Sequence, residues 1–361
     1  QTSCAGWLAG AGGRALLVRS SLEPSKVGKR AATLWLRLFL VSAVLTLIAA
    51  GSLAPHLKNS AELVRMRNAL LLQSEPAVFD WTPATKPESF VVDTGAPLPL
   101  YADIVARNGL RADGDDWATA LRIGRHLLVD GKRTGGPIQS DLTQTYRRIT
   151  ELDEGYCGDF ADTFTGLASA AGVFTRSWAF SFDGFGGHGH IFNEIWDAQQ
   201  ARWIMIDVFN NFYPADAAER ALSAMEFRAA LLKGGSTPTL VPVDSHASPG
   251  FQHEYKAIEY YEHGLPEWYM WWGNNVFEYD RSPVVRMLGQ AHRALEQLGG
   301  VATGVYPGMR ILERPENELQ RERIRWLRVQ LLAAVVFGTA TLLCFCFWLV
   351  CFRAHRRLVN A

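Results

Sequence analysis

The sequence predicts an α+β domain held between two membrane-spanning helices, and three observations carry that prediction. Two apolar runs, Leu38 to Ala54 and Val329 to Phe352, contain no charged residue in 17 and 24 positions, which approaches and then exceeds the roughly 20 residues a spanning helix needs. Between them, Phe160, Phe164, Leu167 and Ala171 recur at helical spacing behind Cys157. That helix pattern is followed by two β-rich runs, 187–197 and 201–208, joined by the short turn Ala198-Gln199-Gln200, which together read as a hairpin.

Taken in order, residues 1–30 form an N-terminal segment expected on the cytoplasmic side, and 31–54, interrupted only by Arg37, form the first span. Residues 55–114 read first as a juxtamembrane helix over 56–73, marked by Leu63, Leu70 and Leu71. An extended connection follows, set by Pro76, Pro83, Pro87, Pro97 and Pro99. The core is expected over 115–220. Asp115 or Asp116 can cap a helix carrying Trp117, Ala120, Leu121, Gly124 and Leu128 on one face, suited to pack beside the cysteine helix. Gly172 occupies the place of a helix C′ glycine. Residues 221–325 form an extension. Ser223 to Glu226 is a capping box before Phe227, Leu231 and Leu232, with Gly234 as the stop. Residues 235–252 read as loop. Ser282-Pro283 opens a helix striped with Val284, Leu288, Ala291, Leu295 and Leu298 and stopped by Gly299-Gly300. The second span is 329–352 and the tail 353–361.

Basic residues flank the outer ends of the spans: Lys26, Lys29 and Arg30 before the first, Arg353, Arg356 and Arg357 after the second. This bias places both termini inside and the domain outside the cytoplasm, against the opposing pull of Arg321, Arg323, Arg325 and Arg328. The expected location is a bacterial-type inner membrane with a periplasmic domain. Lysine plus arginine equals aspartate plus glutamate at 36 each, so no bulk field draws nucleic acid.

Cys157 is the only cysteine between the spans; Cys4, Cys344, Cys346 and Cys351 lie outside that stretch. It has no internal disulfide partner there and is either a small core residue or a reactive thiol. A helix start favours the thiolate through the macrodipole. A nucleophilic thiol also needs a base and a group to orient it. His190 lies on the first strand of the hairpin and Asp207 late on the second, so antiparallel pairing brings them together. His188 is the other candidate base. The form His188-x-His190 also occurs in metal sites, but no third ligand has suitable spacing, so no metal or cofactor is expected. The backbone N–H of Cys157 is a natural first oxyanion donor. Gln139, Gln144 and Tyr146 are candidates for the second, although Ser140 to Gln144 also fits a helix cap.

These stretches resemble the transglutaminase-like core, a branch of the papain-like cysteine hydrolases and acyltransferases. Gly155-Tyr156-Cys157 through Gly172 is similar to the family's cysteine stretch, His190-Ile191-Phe192-Asn193-Glu194-Ile195-Trp196 to its histidine stretch, and Trp203-Ile204-Met205-Ile206-Asp207 to its aspartate stretch. The resemblance covers about 145–213, with weaker support back to about 115. Where the family often has proline after the aspartate, this chain has Val208. The resemblance implies a cysteine-bearing helix packed on an antiparallel sheet and a Cys157-His190-Asp207 triad. It implies amide or peptide hydrolysis, or acyl transfer, through a thioacyl intermediate. The expected partners are a protein or peptide substrate and the lipid bilayer, with envelope-assembly partners also open. Tyr156, His188, Trp268, Trp271 and Trp272 are candidate substrate contacts. The last three belong to an aromatic cluster over 255–279 that could equally be core or rest at lipid headgroups. Two rival readings are an idle binding or scaffold protein of an envelope or polysaccharide assembly, and a metal-dependent hydrolase built on His188 and His190.

Overall fold

The computed structural model describes residues 24–73, 75, 78–128, 133, 136–138, 140–233 and 238–360, with 24–28, 293, 294 and 358–360 described as backbone only. The chain divides into two compact units, one of Gln1–Gly51 with Leu332–Ala361 and one of Ser52–Leu331.

In the first unit, α1 (Pro24–Ser52) begins earlier than the apolar run that predicted it. Helix α12 (Glu318–Asn360), the last helix of the chain's described residues, outruns its apolar run at both ends. Both helices are long and apolar enough to cross a membrane, with mean hydropathy 2.0 and 2.3 in their most apolar windows. Leu47, Ile48, Val335, Val336 and Val350 are exposed, whereas Thr46 and Thr341 meet through their hydroxyls at 2.9 Å. Trp35 stacks on Phe347 with ring centroids 4.7 Å apart. Apolar side chains outward and a hydroxyl pair inward is an arrangement suited to lipid rather than water.

The second unit opens with α2 (Ser60–Leu71), capped by Asn59, whose Oδ1 accepts from the Glu62 N–H at 2.9 Å. Next come α3 (Pro99–Arg107), α4 (Asp116–Leu127), α5 (Leu142–Leu152) and α6 (Cys157–Ala170). Of the two possible caps for α4, Asp115 takes the role, accepting from the Ala118 N–H at 2.7 Å. Gly172, at φ +82°, ends the turn after α6. Strands β1 (Thr175–Ser181), β2 (Gly189–Asp197) and β3 (Arg202–Ile206) follow. Strands β4 (Phe212–Ala215) and β5 (Thr239–Pro242) pair separately around α7 (Ala224–Lys233). Then come α8 (Glu254–Gly264), β6 (Trp268–Trp272), α9 (Val276–Arg281), α10 (Pro283–Gly289), α11 (Arg293–Thr303), β7 (Gly308–Ile311) and α12.

Among the described residues, five strands form one antiparallel sheet in the order β3-β2-β1-β6-β7. Strand alternation divides its side chains between two cores. Ile195, Ile204 and Ile206 face α4 and α6 with Phe160, Phe164 and Leu167. Trp178, Phe192, Trp203, Met205, Trp268 and Trp272 face an aromatic core shared with α7 and α8. Strands β6 and β7 come from the segment read as an extension, so 115–220 and 221–325 complete one sheet and fold as one unit.

The single helix expected from Ser282 to Leu298 is two, α10 and α11, with Val284, Leu295 and Leu298 exposed rather than in a core stripe. Gly299 is no stop. A Cβ there would meet Leu288 Cδ1 at 2.7 Å, so the glycine lets the two helices approach closely, and α11 runs on to Thr303. The predicted loop 235–252 contains β5, and Gly234, expected to stop α7, lies outside the described residues.

Candidate active site

Cys157 is the first residue of α6, and the turn before it explains why it is presented. Gly155 has φ +112°, and a Cβ there would press on Ile138 Cδ1 at 3.1 Å and Asp159 Cβ at 3.3 Å. Asp159 turns back to accept from the Tyr156 N–H at 2.8 Å and from the Ile138 N–H at 3.2 Å. The entry to the helix is thereby fixed, and its first N–H groups, which have no acceptor inside the helix, lie around the half-buried thiol.

His190 sits on β2, 4% exposed, and Asp207 lies just past β3, 1% exposed. The hairpin pairs Asn193 with Ile206, and His190 Nε2 is 2.7 Å from Asp207 Oδ2. With Nε2 committed to the carboxylate, Nδ1 is the ring nitrogen left for Cys157, to which His190 is also hydrogen-bonded. Burial alone would push the imidazolium down. The charges of Asp207 and Cys157 and the hydrogen bonds to both outweigh burial and push its pKa up to about 10. Burial likewise acts to raise Asp207, but the His190 charge and the hydrogen bonds from His190, Tyr261 and Asn210 hold its carboxyl below the ordinary value. The arrangement can therefore keep His190 protonated beside Asp207 at neutral pH.

Asp207 is held from several sides. Its Oδ2 accepts from Asn210 Nδ2 at 2.8 Å and from the Tyr261 hydroxyl, and its Oδ1 accepts from the Asn210 N–H at 3.1 Å. Backbone bonds in both directions between Asp207 and Phe212 close the turn, with Asn211 at φ +58°. The position after the aspartate needs no proline, because Val208 is buried in the core. Tyr260 packs edge-on to the His190 ring at 5.9 Å, and its hydroxyl donates to the Gly189 carbonyl at 3.3 Å. Gly189 has no room for a side chain, since a Cβ would collide with the Phe180 carbonyl oxygen.

Cys157 and His190 open onto a cavity of about 390 Å³, also lined by Arg67, Tyr156, Tyr269, Trp271 and Tyr306. The predicted substrate contacts divide around it. Tyr156 and Trp271 line the cavity. Trp268 and Trp272 are fully buried in the aromatic core, because alternation along β6 sends residues 268, 270 and 272 to the side opposite 269 and 271. The His188 side chain is 72% exposed, with Nδ1 3.6 Å from Asp183 Oδ2, away from Cys157. Among the described residues no three His, Cys, Asp or Glu side chains gather to hold a metal ion.

Of the upstream oxyanion candidates, neither Gln144 nor Tyr146 lines the cavity at the thiol. Gln144 is exposed, and its backbone N–H bonds to the capping Asp141 at 2.9 Å. The Tyr146 hydroxyl is taken by His126 Nε2 at 2.7 Å. Gln139 lies outside the described residues. Sequence reasoning missed Asn210 and Arg67, and it placed Tyr261 and Tyr269 only as members of the aromatic cluster over 255–279. The asparagine pair directly after a strand was a turn signal that could have drawn attention to Asn210. Tyr261 lies 54 residues from Asp207, and nothing local marks that link.

No family model, no curated protein and no solved structure matches this chain.

Proposed function

We propose that this chain is a membrane-anchored thiol enzyme of transglutaminase-like type that cleaves or transfers the acyl group of an amide through a thioacyl intermediate on Cys157. The observation that carries this reading is the contact line Cys157–His190–Asp207, with its 2.7 Å imidazole–carboxylate bond, facing a cavity large enough for a small ligand. The Cys157 thiolate attacks the carbonyl carbon, forming a C–S bond. As the C–N bond breaks, the amine leaves with a proton from His190. Water or a second amine then attacks the thioester, gives its proton to His190 and releases the acid or new amide together with the thiolate. Asp207 holds the ring orientation and stabilises the imidazolium. The exposed position of His188 gives no support to a metal-dependent hydrolase. An idle binding protein would keep the fold but not the reactivity.

Reactivity is therefore the test. Because His190 keeps its proton up to about pH 10, the cation stands beside the sulfur throughout the neutral range. Iodoacetamide alkylation of Cys157 at neutral pH, read by mass mapping, is expected to be at least about tenfold faster than in His190→Ala. In that variant the rate should fall about tenfold per unit of pH below the ordinary thiol pKa of about 8.5. A wild-type rate no faster than that of His190→Ala would overturn the proposal.

The basic outer flanks of the apolar helices support a periplasmic or otherwise extracytoplasmic domain with both termini inside. Alkaline phosphatase fused after residue 230 should be active, and the same enzyme fused at the C-terminus inactive. The reverse pattern would place the thiol in the cytosol.

A further inference from the structure

Arg67 is a cation set into the cavity wall, and among the described residues no acid pairs with it. It belongs to α2, which docks beside the thiol. The Gly187 N–H donates to the Ala61 carbonyl at 3.1 Å, and Asn68 Nδ2 donates to the Phe185 carbonyl at 2.8 Å. A Cβ on Gly187 would come within 2.7 Å of Ala61 Cα, so only glycine permits this approach. The guanidinium donates to the Tyr306 hydroxyl at 2.9 Å and to Asn68 Oδ1 at 3.0 and 3.3 Å. It stands 5.5 Å from the Trp271 ring centroid and 5.1 Å from that of Tyr306. No carboxylate among the described residues is within ion-pair distance of it. The acids that line the same cavity, Asp159, Asp162 and Asp280, come from α6 and α9 rather than from this wall. A half-buried guanidinium fixed by neutral acceptors and aromatic rings presents its remaining N–H groups for a planar anion.

We infer that the acyl donor carries a carboxylate, which Arg67 binds against Trp271 and Tyr306 while Cys157 meets the scissile carbonyl. The inference rests on the thiol-enzyme reading for the role of Cys157. A cavity of about 390 Å³ has the volume of a sphere roughly 9 Å across, and a peptide advances about 3.3–3.6 Å per residue. The carboxylate is therefore within about two residues of the carbonyl that reacts. A free peptide C-terminus and an acidic side chain both offer this group.

Haloacetyl probes separate the possibilities without requiring turnover. Cys157 in the full-length chain is alkylated with chloroacetyl-glycine, with its C-terminal amide, and with the chloroacetyl derivative of glutamic acid α-amide. Adducts at Cys157 are resolved by mass mapping from those at the other cysteines. In wild type a carboxylate probe is expected to react at least about tenfold faster than the neutral amide, with saturation at lower concentration. Preference for chloroacetyl-glycine identifies a C-terminal carboxylate, and preference for the glutamyl probe a side-chain one. Arg67→Gln should bring the ratio of carboxylate to amide rates close to one, and Arg67→Lys should leave it intermediate. If Arg67→Gln does not fold, the wild-type and Arg67→Lys ratios still decide. A wild-type ratio near one, or a ratio that survives loss of the guanidinium, overturns the inference. Failure of the thiol-enzyme reading would show differently, as iodoacetamide alkylation no faster in wild type than in His190→Ala, with the probe ratio intact.

Discussion

Cys157→Ala and His190→Ala each reduce turnover of an amide or activated-ester donor by about three orders of magnitude or more, and the double variant is little worse than either alone. This outcome is expected because the ring meets the thiol on one side and bonds to the Asp207 carboxylate on the other. Removing either member leaves the other without a function, and units of this kind are strongly non-additive. Asp207→Asn keeps the shape but removes the charge that fixes the tautomer, and a loss of about two to four orders of magnitude is expected. Tyr261→Phe removes one of the donors to Oδ2, and its effect should be smaller than that of Asp207→Asn. Tyr261 is a positioning residue, so its loss should slow iodoacetamide alkylation of Cys157 at neutral pH with the fold intact, which a purely structural role would not do. Circular dichroism on each variant controls for folding. Wild-type turnover in Cys157→Ala would end the enzyme reading. An inactive His188→Ala beside an active His190→Ala would instead show the wrong histidine assigned as base.

Glu194→Ala is expected to be the most damaging single change to the stability of the second unit, costing about 3–5 kcal/mol. Arg176 and Glu194 are 2% and 0% exposed and pair at 2.6 Å. Arg176 lies 3.9 Å from the Trp203 ring centroid and 5.0 Å from that of Trp81, and it donates to the Phe79 carbonyl at 2.7 Å. Glu194 also accepts from Trp178 Nε1 and from the Ala224 N–H, each at 2.6 Å. Truncation leaves a buried cation, an indole N–H and the first N–H of α7 without their acceptor. Replacing both charges, as Arg176→Met with Glu194→Leu, removes the unpaired cation but not the two orphaned N–H groups, so only part of the loss should return. Urea unfolding of the purified chain measures this. A cost below about 1 kcal/mol for Glu194→Ala would mean that water reaches the pair.

Much of the site was legible in the sequence because its signals are local or periodic. The helix behind Cys157, the hairpin carrying His190 and Asp207, and the glycine after the helix all follow from spacing within a few residues. The function of Glu194 was not legible. It stands in the histidine stretch, but it pins β1, β2 and α7 together in the aromatic core rather than touching the thiol. The run Trp268-Tyr269-Met270-Trp271-Trp272 hid its alternation because both faces of β6 are apolar, one toward a core and the other toward a cavity. Arg67 and Tyr261 were out of reach because tertiary packing alone brings them to the site, from a helix before the predicted core and a helix after it.

The stretch from Tyr260 to Trp271 gives this domain an unusual economy. The Tyr261 hydroxyl donates to the Asp207 carboxylate that bonds to His190, and ten residues later Trp271 forms part of the cavity wall. Both are carried by one helix-to-strand segment, so the support behind Asp207 and the cavity wall are not separate modules that could be exchanged by grafting a loop. A fragment ending near residue 220 would lose the hydroxyl on Asp207, two strands of the sheet and one side of the cavity together. Directed evolution of a new specificity would have to keep α8 in register while changing β6, which favours substitutions at 269 and 271 over insertions or deletions between them.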